Sequence, residues 1–460
     1  MRFEWFVARR YLKGAHRGRT RICTAGVTIG VAVLIVVISV MNGFEREFLG
    51  KMLGAYGHLR LIPITEAHTL ASLADYGDWT RIFGERPGVE GVSPIIEHGV
   101  FITTEQAWGS KTSAQFVPVR GIDPRLEGEA SDLIGSKLLG DWETLADEGE
   151  VQAAGGAQAF DPFALPAKTP GIFLGIELAK ELFGAPPQWL WKPNDDRLKY
   201  FLETNVMGAT VRLTPPEIIR GPSGRDLRPI EARVTGIFKT GFYDFDLRCA
   251  LISLETARIL KGVPGGGVEV LEFRLADPDP ANTAKVAANL VRFASETHQV
   301  RFFPKLWTDF NPVLLDAVRI EKVVMTSILA LVMVVAVFGI AGTIVMTVLE
   351  KTREIGALMA LGARRRSVMA IFVLNGFQVG LYGTIFGNIL GVLICWLIGV
   401  LHIPMPGGGG VYVLDIVPVE MRWAHVVGIS IFSLVASTLA GIQPAWKAAR
   451  LHPVEALRYE

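Results

Sequence analysis

Four long apolar runs decide what this chain of 460 residues can fold into. The first is Ile22 to Gly43. As a helix rising 1.5 Å per residue it would measure about 33 Å, enough to cross a hydrocarbon layer of about 30 Å. The second, Val323 to Leu349, lies between Lys322 and Glu350. The third falls within Ser367 to His402, a stretch with no Asp, Glu, Lys or Arg, and the fourth is roughly Ala424 to Ile442, with Pro444 marking its end. Half of the residues are apolar and a fifth are charged, so the two classes are segregated along the sequence rather than mixed. That pattern specifies an α-helical membrane protein with four transmembrane helices.

Charge orients the spans. Seven basic residues, Arg2, Arg9, Arg10, Lys13, Arg17, Arg19 and Arg21, precede the first run against one acid, Glu4. Basic clusters also occupy Lys351 to Arg366 and Lys447 to Arg458. Four crossings put all three clusters on the cytoplasmic side and 44–321 outside. Phe3, Val7 and Tyr11 share one helical face and Arg2, Arg9 and Lys13 another, as in a short helix lying in the interface. The resulting division is 1–21 interfacial helix, 22–43 first span, 44–321 external region, 322–349 second span and 350–366 cytoplasmic segment. It continues with 367–400 third span, 401–423 external loop, 424–442 fourth span and 443–460 tail. Asn311-Pro312 reads as an N-cap followed by proline at the first helical position, so the second helix starts well before its apolar run. From Pro312 to Leu349 it would reach about 57 Å, with about half outside the hydrocarbon as a stalk. Gly376, Gly380, Gly383, Gly387 and Gly391 recur every three or four residues in the third run, a small-residue face for close helix contact. Asn375, Gln378 and Asn388 read as interhelical hydrogen-bonding groups.

The external region is α+β. Strand, helix and strand are predicted at His58–Ile62, Thr69–Phe83 and Gly91–Thr103, and again at Val268–Leu275, Asn282–Glu296 and Gln299–Phe303. These two portions, 44–122 and 266–321, form one split subdomain. The intervening 123–265 is a β-rich insertion with strands at Gly171–Gly175, Ala209–Leu213 and Ile230–Phe238. Ala146 to Pro170, rich in Ala, Gly and acids, reads as a flexible insertion. Thr214 to Pro229 reads as a long hairpin connection, stiffened by Pro215, Pro216, Pro222 and Pro229, with Arg220, Arg225 and Arg228 at its tip.

Several chemistries are missing. The sequence has no phosphate-binding Gly-x-x-x-x-Gly-Lys-Ser/Thr loop, no His-Glu-x-x-His helix and no nucleophile elbow, so no catalytic residues, metal site or cofactor are assigned to this chain. The net charge of +1 gives no support for nucleic-acid binding. Asp244 and Asp246 would share one face of a strand, where a solvated face outweighs a cation site. Cys23, Cys249 and Cys395 are far apart and read as packed small residues.

The segment Glu350-Lys-Thr-Arg-Glu-Ile-Gly-Ala-Leu-Met-Ala-Leu-Gly-Ala-Arg364 is a short amphipathic stretch. Ile355, Leu358 and Met359 form an apolar ridge between acids at the start and arginines at the end, and Gly362 is a stop signal. From composition alone it could be a docking surface or only a basic loop that fixes topology. It resembles the coupling segment of the FtsX/MacB-type ABC transporter permeases, and the tail Pro444-Ala…Ala-Ala-Arg…Pro-Val-Glu-Ala-Leu-Arg458 resembles the C-terminal signature of that superfamily. Phe6–Leu12, Val36–Glu45, Val119-Arg-Gly-Ile-Asp-Pro124, Gly236–Asp246 and Val411–Glu420 resemble the lipoprotein-releasing branch of permeases, LolC and LolE. Ala146–Pro170 and Pro186–Thr204, the latter with Trp189 and Trp191, depart from that pattern.

The resemblance implies a type VII ABC permease without covalent chemistry of its own. ATP and Mg would belong to a separate ATPase dimer, gripping Glu350, Arg353, Glu354, Ile355, Leu358 and Met359. A second permease copy or paralogue would complete the membrane part. Lipoproteins would be taken from the outer leaflet of the inner membrane beside Met41, Asn42, Phe44, Phe48 and Met52. They would pass to a periplasmic carrier engaged by a hook at Arg220, Pro222, Arg225, Arg228 and Pro229, which would make the chain LolC-like or a homodimeric hybrid. Two alternatives stand beside this reading. One is an FtsX-like signalling permease that activates a cell-wall hydrolase, a branch with a smaller external domain. The other is a MacB-like efflux permease, a branch that carries its ATPase on the same polypeptide.

Overall fold

The computed structural model describes residues 2–13, 17–64, 73, 76–104, 113–146, 169–185, 196–216, 229–263, 267–310, 312–403 and 416–449. Contacts divide the chain into a helical unit, residues 1–47, 316–404 and 416–460, and a β unit, residues 48–315 with 405–415.

In the helical unit a short N-terminal helix, Arg2–Lys13, precedes four helices long and apolar enough to span a membrane. They are Arg17–Ala55, Pro312–Glu350, Arg365–Leu401 and Trp423–Ala440, hereafter the first to fourth spanning helices. The second begins at Pro312 as its sequence predicts, where a missing N–H costs nothing. The fourth ends at Gly441, earlier than expected. Pro444 does not end it but sits near the start of a separate helix, Ile442–Ala449, where proline is tolerated for the same reason. The glycines of the third helix serve two neighbours. A Cβ on Gly383, Gly387 or Gly391 would stand 2.6, 2.6 or 3.0 Å from side-chain atoms of Val27, Val31 or Ile35 on the first helix. One on Gly376 or Gly380 would stand 2.9 or 2.5 Å from Ser437 on the fourth. The third helix is therefore clasped between the other two, with backbone approach replacing the hydrophobic drive that lipid removes. Asn388 exchanges hydrogen bonds with Ser430, donating from Nδ2 at 2.9 Å and accepting at 3.2 Å, and Thr384 donates to Ser433 at 3.0 Å. Asn375 and Gln378 are buried as well, but their side-chain oxygens have no partner among the described residues.

The β unit holds ten strands: β1 Leu59–Ile64, β2 Val89–Thr104, β3 Ser113–Ile122, β4 Lys137–Gly140, β5 Gly171–Gly175, β6 Thr210–Thr214, β7 Ile230–Phe238, β8 Ala250–Ser253, β9 Val270–Leu275 and β10 Arg301–Leu306. Their order is β10-β1-β9-β2-β3-β8-β5-β7-β4, with β6 bridging β2 and β7. The two portions of the split part lie side by side as β10-β1-β9-β2-β3, and the inserted strands follow as the next block. The two blocks are nonetheless one sheet with a shared core, where the sequence suggested two compact subdomains. The reason is the length of β2, 16 residues. One edge of β2 pairs first with β9 and then with β6, while the other pairs with β3, which passes on to β8. The pairings β2-β3-β8-β5-β7-β6-β2 close into a ring. Alternate residues fill its inside, among them Val117 and Val119, Ile172 and Leu174, Val211 and Leu213, and Ala250 and Ile252. The intervening Phe173 and Leu251 belong to a second cluster with Met52, Phe238 and Phe245.

The helices Tyr76–Gly84 and Pro280–His298 cover the split portion, burying Trp79 and Phe83 against Phe273 and Phe302 in edge-to-face and tilted pairs. The motif that contains Asp244 and Asp246 is not a strand. Gly241, at φ +80°, turns the chain after β7, and Tyr243–Arg248 is a short helix. Asp246 reaches back to accept from Thr240 N and Oγ1 and from Gly241 N, so it closes the turn and does not face solvent beside Asp244. The insertion 147–168 lies outside the described residues, as do 186–195.

Candidate functional site

Three functional surfaces are predicted from sequence, and the structure places them unequally. The uptake residues begin on the first spanning helix. Met41 and Phe44 are partly buried within the helical unit. Asn42 stands about a quarter-turn from their stripe. It is fully buried, and its Nδ2 donates to His425 Nδ1 at 2.9 Å. Beside it the segment before the fourth helix lies across the first. Glu420 N donates to the Ser39 carbonyl at 2.9 Å, and a Cβ on Gly43 would stand 2.6 Å from the Pro418 backbone. Only glycine admits that crossing. Lys322 donates to Glu45 at 2.5 Å and so ties the second helix to the first. Farther along, Phe48 packs edge-on to Phe242 at 5.7 Å inside the β unit. Met52 is 1% exposed in that unit's core. Of the five expected wall residues, Asn42 is a hydrogen-bonding group between helices and Met52 lies in the core of the β unit. The helical stripe was legible, but what covers each turn of it was not.

The predicted docking segment forms a helix, Thr352–Ala360. Gly362, at φ +98°, stops it as expected, with Ala363 N donating to Leu358 O and Gly362 N to Met359 O, both at 3.0 Å. Its ridge is turned inward, however. Ile355 is 1% exposed and packs in the helical core with Ile344, Val348 and Phe372, and Leu358 and Met359 are half-buried. An amphipathic helix beside an apolar core buries its apolar stripe there first. Arg353 and Glu354 are exposed, and Glu354 accepts from Lys351. The apolar group left outside is Leu361, 87% exposed, which the sequence reading passed over because it lies beyond the helical period.

Of the hook residues, Arg220, Pro222, Arg225 and Arg228 lie outside the described residues. Pro229 is exposed, just before β7. The strands flanking the connection, β6 and β7, pair antiparallel with Leu213 opposite Ile230.

One constellation was missed. Arg120, 1% exposed, sits on β3 and donates through Nη2 to Glu127 at 2.9 Å and to Glu272. Arg60 on β1 donates to Glu272 at 2.9 Å and to Glu97 at 3.0 Å. Ser93 and Ser131 donate to Glu127 at 2.7 and 2.8 Å. Burial pushes the Glu97 carboxyl up, but Arg60 and Arg120 outweigh it and hold the group below the usual range. Burial likewise keeps the Cys249 thiol neutral. The visible signal was an arginine between apolar neighbours in Val119-Arg-Gly-Ile122. Asp123 then caps the next helix, Pro124–Ala130, accepting from Arg125 N, so that motif builds both the network and the turn that presents Glu127. Each carboxylate here is engaged by an arginine, so the set braces the strands.

Four helices long and apolar enough to span a membrane and a large β unit make this a multi-pass membrane protein with a large β-rich domain. The model of the FtsX-like permease C-terminal family matches residues 326–453, and that of the MacB-like periplasmic core domain matches residues 20–292. The chain belongs to the FtsX/MacB-type family of ABC transporter permeases, on the branch of the LolC and LolE proteins. It is 29% identical to the lipoprotein-releasing system transmembrane protein LolC of Neisseria meningitidis, over 99% of each chain. It is 24% identical to LolE of Haemophilus influenzae, again over 99% of each. An uncharacterized ABC transporter permease of Bacillus subtilis, YknZ, is 24% identical over 97% of this chain and 96% of its own. Permeases of this family work with an ATPase and a partner permease in the inner membrane.

Proposed function

We propose that this chain is the permease subunit of an ABC transporter that extracts lipoproteins from the inner membrane and delivers them to a periplasmic carrier. The observation that carries the reading is end-to-end similarity to a LolC protein, external and membrane parts alike. Both termini would be cytoplasmic and the β unit periplasmic, as the basic clusters require. A separate ATPase would supply ATP and Mg. It would bear on Arg353, Glu354 and Leu361, with Ile355 holding that helix to the helical core. Lipid chains would enter beside Met41, Phe44 and Phe48. The carrier would dock at the connection between β6 and β7.

The test is release from proteoliposomes that contain this chain, its ATPase and a lipidated substrate. Substrate should appear on the purified carrier only when ATP is hydrolysed. Release without carrier, or retention despite hydrolysis, would reject the reading. Leu361→Asp should lower ATPase co-purification severalfold while leaving the permease inserted. Unchanged co-purification would remove Leu361 from the docking surface.

A further inference from the structure

Next to the buried ion network the β unit contains a cavity of about 240 Å³. Its wall carries four cations, Arg60, Arg120, Arg248 and Lys305, and two carboxylates, Glu97 and Asp244. The carboxylates are already engaged: Glu97 with Arg60, and Asp244 with Arg248 at 3.0 Å. The cations are not saturated. Arg120 retains Nε and Nη1 without an acceptor, although both are buried, and among the described residues Lys305 makes no ion pair. The rest of the lining is Tyr56, Phe245 and Phe310 with Pro118 and Cys249. The Arg60 guanidinium lies 4.6 Å from the centre of the Phe310 ring and 5.4 Å from that of Tyr56, and the Lys305 ammonium lies 5.7 Å from the Phe310 centre. These rings fix the direction of both cations at little entropic cost. Arg248 and Asp244, with 68% and 44% of their side chains exposed, form the mouth.

We propose that this cavity binds a small phosphate-type oxyanion. Unused donors come from β3, β10 and the helix Tyr243–Arg248, so they approach from several directions, as a tetrahedral oxyanion accepts and a planar carboxylate does not. The volume is below that of pockets for drug-sized ligands, about 300–1,000 Å³, which restricts the ligand to a phosphate with at most a short organic group.

The full chain in nanodiscs should bind inorganic phosphate or glycerol 3-phosphate saturably in calorimetric titrations. Lys305→Gln and Arg248→Gln should each weaken binding about tenfold, the worth of one charge-assisted contact. Arg212→Gln, which removes an exposed pair with Glu231, should leave binding unchanged. Thermal melts of each variant confirm that the fold persists. Nanodiscs containing phosphatidylglycerol distinguish the source. Competition with the soluble probes identifies a lipid headgroup as ligand, and its absence identifies free phosphate. No saturable binding, affinity unchanged in both variants, or equal competition by acetate would overturn the proposal.

Discussion

The two units hide polar groups in opposite ways. The helical unit uses small neutral groups: Asn388 with Ser430, Thr384 with Ser433, and Asn42 with His425. The β unit buries full charges, setting Arg60 and Arg120 against Glu127 and Glu272, with Glu97 partly exposed at the rim. Lipid makes an ion expensive wherever its partner can drift away, so helices that pack in a membrane rely on glycine contacts and neutral hydrogen bonds. A folded domain in water can hold a compensated ion set, because the partners are fixed on four strands, β1, β2, β3 and β9, and on the helix Pro124–Ala130. The rigidity that makes the network tolerable also makes the loss of one member costly.

The largest expected effect follows from that asymmetry. Arg120→Met strands Glu127 as an uncompensated buried charge and leaves Glu272 with Arg60 alone, and should destabilise the β unit by about 3–5 kcal/mol, read from its denaturation in the full chain. A loss below about 1 kcal/mol would mean that the network is solvated and would erase the contrast.

The pH dependence of the same unit sharpens it. The Glu97 carboxyl is held below its ordinary value of 4.5, so its stabilising contribution is complete above that pH and is lost as pH falls through the lower value. Asp246 is raised above 3.8 by burial, against the bonds from Thr240 and Gly241. Its contribution has the opposite sign: complete below 3.8 and lost as pH rises through the raised value. Melting profiles between neutral and acid pH should therefore flatten at the acid end in Glu97→Gln. An unchanged acid limb would show that Glu97 is not the group responsible.

In the helical unit the sensitive element is space. Gly387→Leu drives a side chain into Val31 and should cost about 1–3 kcal/mol through overpacking, visible as a lower melting temperature in detergent. The smallest effect is predicted for Asn388→Leu, about 0.6 kcal/mol, since membrane hydrogen bonds average near that value. A larger loss would place this pair closer in kind to the ion network.

What could be read from sequence follows the same divide. Apolar run length and basic flanks pointed to four spanning helices, because a bilayer imposes a one-dimensional rule on composition, although the first helix runs on to Ala55, well past the end of its apolar run at Gly43. Strands at Gly171–Gly175 and Ile230–Phe238 were legible from local pattern. Ring closure was not, because β2 pairs Phe101 with Thr214 across a wide gap in sequence and nothing local encodes that contact. The burial of Asn42 and Met52 was not legible, because it depends on what packs over the helix there. The inward placement of Ile355 was not legible either, because an apolar stripe does not say which of two neighbours it serves. Arg120 went unnoticed because a lone arginine in a strand looks like a solvated residue until its partners on β9 and the helix Pro124–Ala130 are known.

The ring of six strands has a mechanical consequence. A strand in an open sheet can be peeled away one hydrogen bond at a time, but a strand in a hoop has a neighbour on both sides and must be sheared from both together. The free margins of this sheet are β10 and the four-residue β4, both outside the hoop. A pull delivered through the chain would therefore tend to displace the hoop as one body and spend little of its work on unravelling it.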